Sequence, residues 1–156
     1  MKLFAVLMMS VSFLFGFFGF FGTISPVFAQ TVTLTLLDTT VSFADANPDT
    51  TPSIVGTTNP VRISVRVRLN GGNNWRLTVL AAGDLSPSIP ISNVTWTVTG
   101  TGFVAGTMSR LVAQTAAQGV GNVNNRTGRF TFRLVNLWTY NTGNFSQTAT
   151  FTLTAP

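Results

Sequence analysis

The chain has 156 residues and a formal net charge of +5, with nine Lys or Arg against four Asp or Glu, no histidine and no cysteine. That inventory excludes disulfides, thiolate metal sites, a lipid anchor on cysteine and a Ser–His pair, and it leaves little material for acid–base catalysis. It describes a non-enzymatic protein with no cofactor and no metal centre.

The amino-terminal segment reads as an export signal. Lys2 supplies a positive start, the run from Leu3 to Gly22 is almost wholly apolar, and Ser25-Pro26 breaks the helix ahead of Val27-Phe28-Ala29. Small residues at the first and third places of that triplet suit cleavage between Ala29 and Gln30. Residues 1–29 are therefore expected to be a signal peptide, and residues 30–156 a single exported domain at the cell surface or outside the cell. The apolar run, at about 20 residues, is also long enough to span a bilayer. Contact with a membrane is expected only if the segment stays uncleaved.

After Ala29 the only charged residues are eight arginines and four aspartates. The remainder is rich in Thr, Val, Asn and Gly, a mixture that favours strands joined by turns. Thr31–Leu36 alternates polar and apolar, the period of a half-buried strand, and a short strand is expected over Thr40–Phe43. Residues 45–59 are dense in turn formers and are expected to be a loop. From Val61 the pattern is clearest: Val61, Ile63, Val65, Val67 and Leu69 point one way, and Arg62, Ser64, Arg66 and Arg68 the other. The Asn/Gly cluster at residues 70–74 predicts a turn, and Trp75–Val79 resumes alternation, so the two segments read as a hairpin. Residues 84–90 form a further connection, and a strand follows with Val94, Trp96 and Val98 on one face. Phe103–Gln118 is ambiguous, since Ala113–Ala117 suits a short helix or a loose strand. Gly119–Gly128 reads as a turn region, Arg129–Leu134 as a strand, Leu137–Tyr140 as its capping edge, and Phe145–Thr154 as the closing strand.

Seven or eight antiparallel strands, each with one apolar face, cannot bury that face in a single open sheet. Two sheets packed face to face can, so the expected fold is all-β, an immunoglobulin-like β-sandwich.

Two segments of this pattern resemble WxL-type bacterial cell-surface domains. One is Trp75-Arg76-Leu77 after the Gly/Asn turn; the other is the closing stretch from Phe145 through Phe151-Thr152-Leu153 to Ala155-Pro156. The spacing of the family's second motif is kept, with Phe151 standing where the family has Trp. The resemblance implies an exported β-sandwich that associates non-covalently with the cell wall, with Trp75, Leu77, Phe151 and Leu153 as its contact residues. Alternating apolar positions are also what core packing produces, and the four residues fit that reading equally. A looser likeness, to pilin and coat-protein sandwiches, implies a structural subunit that forms a homopolymer by β-strand exchange, with Thr31–Leu36 as the donor strand or else an ordinary first strand of its own domain.

Arg62, Arg66, Arg68, Arg129 and Arg133 fall on the outward phase of their strands. If those strands are neighbours the guanidinium groups form a basic stripe suited to phosphate or carboxylate, which makes an anionic wall polymer or glycan the expected partner. The plain alternative is a solvated face that resists edge aggregation. Nucleic acid fits poorly with export and so modest a charge. Asp45, Asn47 and Asp49 share one loop but surround Pro48 and lack a turning glycine, so a plain turn is expected there in preference to a calcium loop. Trp138 and Tyr140 are candidates for an exposed aromatic platform.

Overall fold

The computed structural model describes residues 3–13, 30–57, 60–69 and 72–155. Among them are eleven strands: β1 (Leu3–Phe13), β2 (Thr31–Leu37), β3 (Thr40–Phe43), β4 (Ser53–Val55), β5 (Val61–Arg68), β6 (Asn74–Ala81), β7 (Val94–Thr99), β8 (Gly106–Thr107), β9 (Gln114–Val120), β10 (Val123–Val135) and β11 (Gly143–Thr154). One sheet has the order β3-β1-β11-β6-β9; the other has β2-β5-β10-β7-β8, with β4 also paired to β10. The two sheets make the β-sandwich that the alternating pattern demanded.

The pattern works residue by residue. In β5 and β6 every second side chain is buried, with Val61, Val65, Val67 and Leu77 fully enclosed. Phe130, Phe132 and Leu134 of β10 and Ala149, Phe151 and Leu153 of β11 supply the facing layers. Phe130 meets Phe151 edge-on at 5.9 Å between ring centroids, which locks one sheet to the other. Trp96 sits in the same interior with its indole N–H donating to the Val104 carbonyl at 2.8 Å. Tyr140 is also buried; its hydroxyl accepts from the Asn93 amide at 2.7 Å and donates to the Val135 carbonyl at 2.8 Å.

Several local expectations are corrected. β5 and β6 do not form a hairpin: β5 pairs with β2 and β10, whereas β6 lies in the opposite sheet beside β9 and β11. Each strand has its own fully apolar face to bury, and the two lie in opposite sheets. The expected loop over residues 45–59 contains β4, where Ile54 is buried opposite Leu134. The ambiguous segment at residues 113–117 resolves as strand from Gln114 onward, with Ala116 and Ala117 in the core. The expected turn region from Gly119 is instead the end of β9, a sharp bend with Gly121 at φ +70°, and the start of a long β10 that bulges between Val123 and Arg126. Strand count exceeds the expected seven or eight for these reasons, and because residues 3–13 add a strand of their own.

That strand, β1, runs parallel to β11 through eleven paired positions from Leu3↔Gly143 to Phe13↔Leu153, and antiparallel to β3 through four. Met9 is buried. No helix among the described residues is long and apolar enough to cross a membrane. Ala29 lies outside the described residues; Gln30 is exposed and leads directly into β2. Thr31–Leu36, the segment considered as a strand donor, lies in β2 and pairs along its length with β5 of the same chain, from Thr31↔Arg68 to Leu37↔Arg62.

Candidate anion-binding face

β5 and β10 are neighbours, so the outward arginines come together on one face. The register sets Arg129 directly opposite Arg62, with Thr127 opposite Ser64. Two like charges at directly opposed positions repel. Part of that repulsion is relieved by Asp38, whose carboxylate accepts a hydrogen bond from Arg62 Nε at 3.0 Å. Asp38 reaches there from the β2–β3 turn, where its backbone adopts φ +60°, a conformation that Asp tolerates better than most residues. With the two side chains 56% and 35% exposed, the pair is a surface ion pair and adds no more than about 1 kcal/mol of stability.

Arg66 and Arg68 continue the row along β5, opposite Thr33 and Thr31 of β2. From Arg62 to Arg68 the strand rise places the charges over roughly 20 Å. Arg133 extends the face along β10, opposite Thr95 of β7. Arg66, Arg68, Arg129 and Arg133 make no ion pair with a described residue; the ion pairs among the described residues are Arg62–Asp38 and Arg110–Asp84. Two shallow depressions of about 260 Å³ each flank the Arg62–Arg129 pair. Asp38 and Pro60 wall one, and Thr35, Ser64 and Thr127 wall the other. The result is an open track of guanidinium and hydroxyl donors, with no deep cavity, that suits an extended anionic chain.

The motif residues lie elsewhere. Leu77 of β6 is paired with Leu153 of β11, and Val79 with Phe151, so the two motifs that carry the WxL likeness sit on adjacent strands. Trp75, Leu77, Phe151 and Leu153 are all buried to 1% exposure or less. Their side chains pack the interior, and Trp75 also backs an open depression of about 680 Å³ lined by Asn74, Arg76, Gln118, Val120 and Thr154. The Arg126 guanidinium covers the Trp75 ring at 5.3 Å, and Gly119, directly opposite on β9, leaves the space the indole fills. A methyl group at Gly119 would come within 2.7–2.8 Å of indole ring atoms. The Trp75 indole N–H is buried without a hydrogen-bond partner.

The acidic loop is a turn. Asn47 Oδ1 accepts from the Asp49 backbone N–H at 2.9 Å, and Asp49 Oδ1 accepts from the Trp138 indole at 2.9 Å. No group of three or more His, Cys, Asp or Glu placed to hold a metal occurs among the described residues. Trp138 is exposed, but Tyr140 is not, so the two do not form a platform. Burial raises the Tyr140 phenol above its usual pKa of 10.0, and the hydrogen bond from Asn93 offsets this only in part.

Sequence reasoning missed Asp38, Ser64 and Thr127 as parts of the face. Ser64 was legible as outward in phase, but the pairing of Asp38 with an arginine 24 positions away depends on a turn geometry that no local pattern records. Compared with known proteins, the chain matches no family model and no curated relative.

Proposed function

We propose that the chain is an exported, non-enzymatic bacterial surface protein whose arginine face holds an anionic polymer of the cell envelope. The observation that carries this reading is the cross-strand Arg62–Arg129 pair, set in a row with Arg66 and Arg68 whose guanidinium groups lack carboxylate partners among the described residues. A phosphate or carboxylate between Arg62 and Arg129 would turn a repulsive contact into two charge-assisted hydrogen-bonding ones. Arginine suits that role better than lysine because its planar fork meets both oxygens of the anion at once. Each exposed contact is weak, so the polymer is held by several arginines along one track, each raising the effective concentration of anion at the next.

The likeness to WxL-type domains supports the same assignment through the placement of its two motifs on adjacent core strands, and wall binding is then a property of the arginine face and not of the buried Trp75, Leu77, Phe151 and Leu153. The export segment ending at Ala29 supports a location outside the cytoplasm. Fractionation of the native host is the test. The protein is expected in the envelope fraction, released by a concentrated salt wash and not by non-ionic detergent. Recovery in the cytoplasm, or release by detergent alone, would refute the assignment.

A further inference from the structure

The place of β1 in the sheet has a consequence for maturation. Residues 3–13 belong to the segment expected to be removed, yet they lie between β3 and β11 and are, among the described residues, the sole strand paired with β3. Take them away and β3 has no partner strand among the described residues, while β11 presents a bare edge of twelve residues, Gly143–Thr154. That edge is no ordinary sheet margin. The side chains beside it, Ala149, Phe151 and Leu153 on β11 and Val41 and Phe43 on β3, are among the most enclosed in the protein, at 0–3% exposure. A cleaved chain with nothing in this position opens a slot into its own core, lined by backbone donors and acceptors on both sides.

We infer that the space between β3 and β11 is a strand-acceptor site, held by Leu3–Phe13 in the unprocessed chain and taken after cleavage by a strand of a different polypeptide. The occupant's chemistry follows from the walls. It is an extended segment of about eleven residues, long enough to match the pairing that β1 makes with β11. It carries apolar side chains at alternate positions, those that face the enclosed Ala149, Phe151 and Leu153; the buried Met9 now stands opposite the first of these. It is uncharged over that span, since neither Thr40–Phe43 nor Gly143–Thr154 contains an Asp, Glu, Lys or Arg to meet a charge. Main-chain hydrogen bonds supply the attachment and the alternating pockets supply the selectivity. A sister copy's new amino terminus is not the donor. Cleavage after Ala29 would leave β2 one residue from the end of the chain, and β2 is already paired along its length with β5.

The site lies on the sheet opposite the arginine face, so it stands or falls independently of polymer binding. The test uses the protein recovered from the envelope of its own host. Its amino terminus is sequenced, and it is separated from any companions in denaturant. It is then refolded with a peptide of residues 3–13 bearing a solubilising tail, or with the same peptide N-methylated at alternate backbone amides. The expected chain starts at Gln30, takes up the unmodified peptide one-to-one, and unfolds at a temperature that rises with peptide concentration; the N-methylated peptide, equal in side chains but unable to complete the ladder, does nothing. A chain that begins upstream of Leu3 would overturn the inference. So would one that refolds alone to the same unfolding temperature, or that responds equally to both peptides or to neither.

Discussion

Replacing Tyr140 with Phe isolates one hydroxyl in a setting unusually free of other titrating groups. That hydroxyl accepts from Asn93 and donates to the Val135 carbonyl, tying the segment after β10 to the start of β7. Its removal deletes two part-buried hydrogen bonds, which costs about 1–3 kcal/mol. For a domain of this size that is a fall in Tm of about 4–10 °C at neutral pH. The pH dependence is sharper still. Burial raises the phenol's pKa in the folded state above the usual 10.0, so the folded protein holds the proton more tightly than the unfolded chain does. The stabilisation is complete below about pH 10 and is lost as pH climbs through the raised folded value. The chain has no His or Cys, one Tyr and, from Gln30 onward, no Lys, so Tyr140 is the side chain expected to govern the alkaline edge. Calorimetry from pH 7 to 11.5, with phenolate absorbance followed in parallel, reads both effects. The parent should lose stability above pH 10 and Tyr140→Phe should not. Equal stability at pH 7 would mean that the two hydrogen bonds contribute nothing, and parallel alkaline loss in both proteins that Tyr140 does not set the alkaline edge.

Other expectations follow from the core and the face. Trp75→Ala should destabilise the domain by about 3–5 kcal/mol in a denaturant titration, because the indole is buried beside Gly119 and beneath Arg126. Gly119→Ala should cost about 1–3 kcal/mol by overpacking against the same ring, and a double-mutant cycle with Trp75→Leu should recover much of that loss. Asp38→Asn removes the carboxylate that competes for Arg62, while Asn keeps the φ +60° conformation; the variant should fold normally and bind an anionic polymer more tightly than the parent in a pull-down at low salt.

The architecture was largely written in the strand alternation, since period-2 patterning names the buried face of β5, β7, β10 and β11 without reference to any partner. Which strands pair was not. Val61–Leu69 and Trp75–Val79 are separated by residues that suit a hairpin, and only the competition of four apolar faces for two sheets sends them to opposite sides. The Gly/Asn density near residue 121 overstated the length of its turn: a bulged strand tolerates Asn125 at φ +59°, so turn-forming residues there mark an irregularity inside β10. The arginine row was legible as phase along each strand and became a site only through the β5–β10 register. Ala113–Ala117 was open between a short helix and a loose strand because alanine favours helices, and burial of Ala116 and Ala117 against the opposite sheet decides for strand from Gln114 onward.

Polymer binding by the arginine face is read from the salt dependence of wall retention for the native protein and for a variant with Arg62, Arg66, Arg129 and Arg133 changed to Gln. Retention by isolated host cell walls should fall steeply with ionic strength for the parent, as exposed charge contacts are screened. For the folded variant it should be weak and nearly flat. Parent and variant that pellet equally at every salt concentration would mean that the arginines hold no wall polymer and serve only as a solubilising surface.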